Sequence, residues 1–170
     1  MILTKERIKD LGIITPFQEK VKCPISYGAE PNGYTLSLSD EFWIPSDRGI
    51  VLDPFNKTDS QKVFDIIHAD SIILEPKHFI LAKSKEYIKM PNNVSAIALT
   101  KSTYARIGVF ANITTIDAGW EGYLTIEIAN IGNLPVKIYA DYGIAEMIFM
   151  EHENTEGYEG NYQKLKGIKI

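Results

Sequence analysis

The chain has 170 residues, 45% hydrophobic and 24% charged, with a formal net charge of −4, which suits one soluble domain with a sizeable core. An acidic balance argues against a broad nucleic-acid footprint but leaves room for a small basic pocket of the kind a phosphorylated metabolite needs. The single cysteine, Cys23, excludes an internal disulfide framework; no stretch nears the roughly 20 apolar residues of a membrane span and residues 1–10 lack an apolar signal region, so the expected setting is the reducing cytoplasm.

The first element in chain order is a short helix. Thr4 is placed to cap it, Leu3 and Ile8 are spaced for a hydrophobic staple, Leu11 continues their face, and Gly12 can take the left-handed position that ends the helix. Short strands are predicted next, at Tyr34–Leu38, Ser71–Leu74, Phe79–Ala82, Val94–Leu99, Tyr123–Ala129, Val136–Tyr139 and Ile144–Met150, all rich in β-branched, aromatic and other apolar residues. Turn signals lie between them at Pro31-Asn32-Gly33, Glu75-Pro76, Pro91-Asn92-Asn93, Ala118-Gly119 and Asn130-Ile131-Gly132-Asn133. Many short strands with regular turns predict an all-β sandwich or barrel. Lys101–Ile107 breaks the pattern and reads as a single helical turn, while residues 151–170 carry several glycines and no strand pattern. The expected organisation is one β-domain over 1–150 and a mobile tail over 151–170 that orders on contact.

Several familiar sites are missing from the sequence. A zinc-dependent nucleobase deaminase needs a His or Cys ligand near a Glu and then a C-x-x-C pair, and one cysteine with His68, His78 and His152 does not supply that set. No Walker A motif, Rossmann glycine fingerprint or nucleophile elbow occurs.

Residues 101–130 carry the chemistry. Lys101, Ser102 and Thr103 place a cation, two hydroxyls and the amides of a turn together, a combination that suits phosphate oxygens. A helix start beside an exposed lysine would look the same. Alternation along Tyr123–Ala129 puts Leu124, Ile126 and Ile128 on one face and Tyr123, Thr125, Glu127 and Ala129 on the other. A mid-strand carboxylate such as Glu127 is either solvent-facing or, if buried, paired, with Arg106 the natural partner and a proton shuttle the natural use. Asp117-Ala118-Gly119-Trp120-Glu121-Gly122 reads as a hairpin turn that presents an acid beside an aromatic ring, which suits a sugar as well as it suits a packed structural tryptophan.

Taken together and in order, these blocks resemble the dCTP deaminase branch of the dUTPase superfamily. That pattern runs G-[KR]-S-[ST]-x-A-R-x-G, then N-[VI]-T, then [DE]-x-x-W-x-G, then [LI]-E. The chain has Lys101-Ser102-Thr103-Tyr104-Ala105-Arg106-Ile107-Gly108, Asn112-Ile113-Thr114, Asp117 through Gly122, and Ile126-Glu127. Weaker likeness extends from Gly12–Phe17 and Ser26–Gly28 to Pro135–Ala140, Gly143–Ala145 and Gly160–Gln163.

The resemblance implies a distorted jelly-roll or β-clip barrel of the dUTPase type, with a short N-terminal helix, assembled as a homotrimer with active sites between subunits. It implies zinc-independent deamination of a deoxycytidine nucleotide, dCTP above all, with Mg²⁺ carried on the phosphates and no metal held by the protein. By the match, Glu127 is the acid/base, Arg106 and Ser102 support it, and Lys101, Ser102 and Thr103 hold phosphates. Asp117 and Trp120 receive the sugar, the main chain at Thr114 and Thr115 reads the base, and Tyr158, Tyr162, Gln163, Lys164 and Lys166 belong to the closing tail. The chain departs from the family at Thr100, where glycine is usual, and in Tyr34-Thr35-Leu36-Ser37, where Tyr-Asp-Leu-Arg is usual and an ion pair is expected to be missing. It departs also at Glu146, where glutamine is usual and a carboxylate would repel phosphate, and at Asn161 and Leu165, where the tail pattern has lysine and glutamine. Rival readings are a dUTP diphosphatase, a bifunctional enzyme that carries dCTP to dUMP, and a non-catalytic nucleotide-binding regulator.

Overall fold

The computed structural model describes residues 1–46, 49, 51–55 and 62–170. Its first element is α1 (Lys5–Asp10), where the Thr4 hydroxyl accepts the Arg7 N–H at 3.4 Å. Leu3 and Ile8 are both buried in the core cluster, and Gly12 follows at φ 62°, a left-handed conformation that glycine adopts without a Cβ penalty. The capped helix expected at the N-terminus is therefore present.

The remaining elements are strands apart from one helical turn: β1 (Ile14–Thr15), β2 (Gly28–Glu30), β3 (Gly33–Pro45), β4 (Phe64–His68), β5 (Ser71–Leu74), β6 (Phe79–Lys89), β7 (Val94–Thr100), α2 (Ser102–Ala105), β8 (Val109–Ile116), β9 (Glu121–Asn130), β10 (Val136–Tyr139) and β11 (Gly143–Glu151). Six of them run β6-β9-β8-β7-β11-β3, and pairing of β3 with β6 closes the ring into a barrel. β1 adds to β6, β2 and β4 add to β3, and β10 pairs with β5 as a separate ribbon. Closure removes most free strand edges, and the architecture is the all-β barrel that the sequence implies.

The barrel interior holds Leu36, Leu38, Phe42, Ile80, Ile126, Ile128 and Phe149, all essentially without exposure. Every inward residue of β9 alternates with a half-buried one, as its sequence pattern requires. β3 and β6 extend well beyond what the pattern predicts, and β1, β2 and β4 are additional to it. β3 continues past Leu38 through the polar Ser39-Asp40-Glu41, and its pairing with β6 shifts register between Leu38 and Phe42. β8 was not predicted as a strand; its alternation is broken at Thr114-Thr115.

The departure at Ser37 has a structural counterpart in β6. Glu86 is only 2% exposed, and in place of an arginine it receives the Ser37 N–H at 3.0 Å and the Ser37 hydroxyl at 2.8 Å. Burial pushes the Glu86 carboxyl up to about 7, against the lowering effect of those Ser37 hydrogen bonds. Among the described residues no helix is long and apolar enough to cross a membrane.

Candidate functional site

The outward face of β9 forms one wall of a cavity of about 640 Å³. Glu127 lies on that wall, half-buried, opposite Leu81 on β6 and Asn112 on β8. Asn112 Nδ2 donates to Glu127 Oε2 at 3.1 Å. Burial raises the Glu127 carboxyl above its ordinary value, while the backbone and Asn112 hydrogen bonds pull it down. A carboxylate held this way, at the wall of a mostly apolar cavity, is suited to taking and returning a proton.

The adjoining wall is the end of β8. Ala96 of β7 pairs with Ile116, and Ala98 pairs with Ile113, so β8 fits one extra residue into this interval. This is a β-bulge at Thr114-Thr115, and a bulge takes backbone N–H and C=O groups out of the regular ladder. Thr114 and Thr115 are exposed and both line the cavity. Beyond Ile116 the chain turns through Asp117–Trp120, with the Trp120 N–H donating to the Asp117 carbonyl at 3.2 Å. Asp117 is exposed and Trp120 only 7% so, and both line the cavity.

Trp120 is covered by the C-terminal segment. Its indole N–H donates to the Tyr162 carbonyl at 2.8 Å. The Tyr158 N–H donates to the Ala118 carbonyl at 2.7 Å, and the Tyr123 N–H to the Leu165 carbonyl at 2.9 Å. Leu165 runs so close to Gly122 that a Cβ there would sit 2.8 Å from the Leu165 nitrogen, and Gly122 has φ 153°. Ile168 ends the segment in a small apolar cluster with Trp43 and Leu81.

The residues predicted in this tail divide into three groups. Tyr158 and Tyr162 line the cavity. Gln163 clamps the tail: its carbonyl oxygen accepts the Glu121 N–H at 2.8 Å, and its amide donates to the carbonyls of Gly119 at 2.8 Å and Tyr158 at 3.1 Å. Lys164 and Lys166 are exposed and are not part of the cavity wall. The lysine that does line it, alone among the described cations, is Lys169, whose Nζ donates to the Asn161 carbonyl at 2.7 Å.

The structure does not bring α2 to this cavity within one chain. Lys101 is half-buried, and Ser102, Thr103 and Arg106 are exposed; none of the four lines the cavity. The turn is fixed elsewhere, by the Lys101 N–H on the Ile144 carbonyl at 2.8 Å and by Tyr104, buried, whose hydroxyl accepts the Tyr139 N–H at 3.3 Å. Glu127 therefore has Asn112 as its side-chain partner in place of the expected Arg106. Glu146 is exposed on β11, opposite Leu99 and Thr35, and is also absent from the cavity wall. Among the described residues no group of three His, Cys, Asp or Glu side chains is arranged to hold a metal ion.

Among the residues at the site without a role in the sequence reading are Asn112, Thr125 and Lys169. Asn112 stood inside a matched block, and only its position opposite Glu127 in the ladder reveals its partner. Thr125 shares the Glu127 face by simple alternation, a signal already present in the strand pattern. Lys169 lies beyond the matched tail, and nothing in the sequence marked it.

A family model described as dCTP deaminase-like matches residues 2–152. A dCTP deaminase of Nautilia profundicola is 40% identical, with 99% of this chain and 94% of that protein aligned, and one of Campylobacter hominis is 41% identical over 99% and 91%. Among solved structures, the 2′-deoxycytidine 5′-triphosphate deaminase of Agrobacterium tumefaciens superposes with a TM-score of 0.66 at 18% identity, covering 87% of this chain. The chain spans 47% of that protein's length. The dUTPase of Staphylococcus bacteriophage 80alpha superposes with a TM-score of 0.52 at 13% identity, over 87% of this chain and 94% of that one. These two superpositions speak to the fold alone.

Proposed function

Because the chain belongs to the dCTP deaminase-like family, we propose that it hydrolyses the 4-amino group of dCTP, releasing dUTP and ammonia. The observation that carries the chemistry is the Glu127 carboxylate on the cavity wall, half-buried and raised above its ordinary pKa by that burial. Glu127 takes a proton from a water that attacks C4 of the cytosine ring, and a C–O bond forms. Glu127 passes that proton to N3, takes the second one from the new C4 hydroxyl and gives it to the amine; the 4-oxo group forms as the C4–N bond breaks and ammonia leaves. One carboxylate can serve both steps when the cavity excludes bulk water.

The bulge at Thr114-Thr115 offers backbone groups to the polar edge of the base, Asp117 accepts a sugar hydroxyl, and Trp120 packs beside the deoxyribose. Tyr158 and Tyr162 close the cavity from the tail side. Phosphate binding falls to Lys101, Ser102 and Thr103, with Arg106 beside the attacking water, and these reach the cavity from an adjoining copy of the chain in a homotrimer. Their distance from the cavity of their own chain supports this reading, because a closed ring of identical subunits brings α2 of one copy to β9 of the next. Mg²⁺ would neutralise phosphate charge through the phosphate oxygens, which needs no cage of protein ligands.

A second reading draws on Asp117, a carboxylate exposed at the cavity: if it activated a water against the phosphates, the same site would also cleave dUTP to dUMP. Incubation with dCTP, dCMP, CTP and dUTP and separation of products decides between them. Ammonia with dUTP is the expected outcome. Pyrophosphate with dUMP marks the bifunctional reading, and nucleotide binding with no turnover marks a regulator.

A further inference from the structure

We infer that the Thr125 hydroxyl is a positioning group for the pyrimidine ring, resting on the deaminase reading of the same cavity. Thr125 lies two residues before Glu127 on the same face of β9 and lines the same cavity. Its Oγ1 is sealed from solvent and has no hydrogen-bond partner among the described residues.

Such an atom is anomalous, because buried hydroxyls are nearly always satisfied and an unsatisfied one is destabilising. Its surroundings do not share the anomaly. Asn112 serves Glu127, and the cross-strand neighbour Lys83 is bonded to Glu41 at 2.8 Å. On the same face of β9, Glu121 accepts the Tyr87 hydroxyl at 2.6 Å. The other unpartnered hydroxyl, Thr35 Oγ1, belongs to a fully buried residue that lines no described cavity.

The missing partner of Thr125 is therefore supplied from the cavity. One staggered step about χ1 carries the threonine hydroxyl into the place of the methyl and the methyl into the place of the Cβ hydrogen, which turns the hydroxyl toward a ligand in the cavity. A cytosine offers its 2-oxo group as an acceptor beside the N3 that Glu127 protonates, and the hydroxyl has one proton to donate. A bond there holds the ring flat against the wall with C4 toward Glu127. The hydrogen bond absent from the free protein is made in the complex, and stability is given up for orientation.

The test is Thr125→Val, which keeps the shape and removes the hydroxyl, beside Thr125→Ser, which keeps the hydroxyl. For Val the expected kcat/KM on dCTP is about tenfold lower, the size of one neutral hydrogen bond, with a melting temperature equal to or above that of the wild type. Ser recovers most of the lost rate. Unchanged kinetics in Val overturns the inference, and so does a lowered melting temperature with kinetics intact, which would mean that the hydroxyl serves the fold. A wild-type protein that releases no ammonia from dCTP would instead overturn the deaminase reading, and a titration of dCTP binding to wild type and Val still decides the Thr125 contact in that case: equal affinities reject it.

Discussion

Asn112 and Glu127 face each other across the β8–β9 ladder, and the Asn112 amide donates to the Glu127 carboxylate at 3.1 Å. Burial raises the Glu127 pKa, and a backbone hydrogen bond and this one lower it, so the asparagine works against burial. The arginine that the sequence offers for that task lies elsewhere in the same chain, exposed beside α2.

Replacing Asn112 by leucine removes one of the two lowering influences and leaves burial opposed only by the backbone hydrogen bond. The Glu127 pKa should rise further, and since the attacking water needs an ionised Glu127, the acid limb of the kcat/KM–pH profile should move to higher pH. Rates measured well above that limb should fall much less than rates near it. A limb that stays in place while the whole profile drops would assign Asn112 to substrate contact and not to tuning.

Glu86 makes a prediction about stability. Its folded pKa of about 7 stands above the ordinary carboxyl value of 4.5, so the folded state binds more protons than the unfolded state between those values. The stabilising contribution is fully present below the unfolded pKa and is lost as pH rises through about 7. The protein should be less stable at pH 8 than at pH 5 by at most about 3 kcal/mol from this group. Glu86→Gln keeps an acceptor for Ser37 and should flatten that slope. Denaturant melts of both proteins at the two pH values check it, and parallel pH dependence in wild type and variant would reject the assignment.

The barrel was legible in the sequence to the extent that its strands alternate cleanly. β9 is the best case: its pattern divided Leu124, Ile126 and Ile128 from Thr125 and Glu127 before any coordinates. β8 hid because its bulge breaks the period at Thr114-Thr115. The far half of β3 hid because Ser39-Asp40-Glu41 is polar and only partly covered. Part of the cavity wall was named from motif order, including Thr114, Thr115, Asp117, Trp120 and Glu127. What motif order does not encode is where each block lies in space, so Arg106 and Glu127 were paired by their order and are apart in one chain. Gln163 was read as a nucleotide contact, and only the traced tail reveals that its amide is already committed to three backbone partners.

Those three partners make Gln163 a test of the tail. Gln163→Ala releases the tie to Glu121, Gly119 and Tyr158 while leaving the barrel core untouched. If closure of residues 158–170 over the nucleotide matters, KM should rise severalfold to about tenfold with assembly unchanged. Deleting residues 158–170 should have a larger effect in the same direction and should also uncover Trp43 and Leu81, which Ile168 protects. Unaltered KM in both variants would reduce the tail to packing.

The separation of Arg106 from Glu127 allows the shared site to be tested directly. Glu127→Gln keeps the shape and an acceptor but removes the ability to take a proton, so turnover should fall by roughly 10²–10⁴-fold with nucleotide binding retained. Arg106→Ala should also be poorly active, through loss of the charge beside the water. If each site takes Glu127 from one copy and Arg106 from the next, the two inactive proteins complement one another. In a trimer reassembled from equal amounts of both, each interface draws an intact Glu127 half the time and an intact Arg106 half the time, so about one quarter of the sites are whole. Activity should return to about that fraction of wild type after the mixture is unfolded and refolded together, and not when the separately assembled proteins are merely combined. Sedimentation confirms that each variant assembles on its own. No recovery on co-refolding would mean that both residues serve the same subunit's site, and α2 would then have to move toward β9 when nucleotide binds.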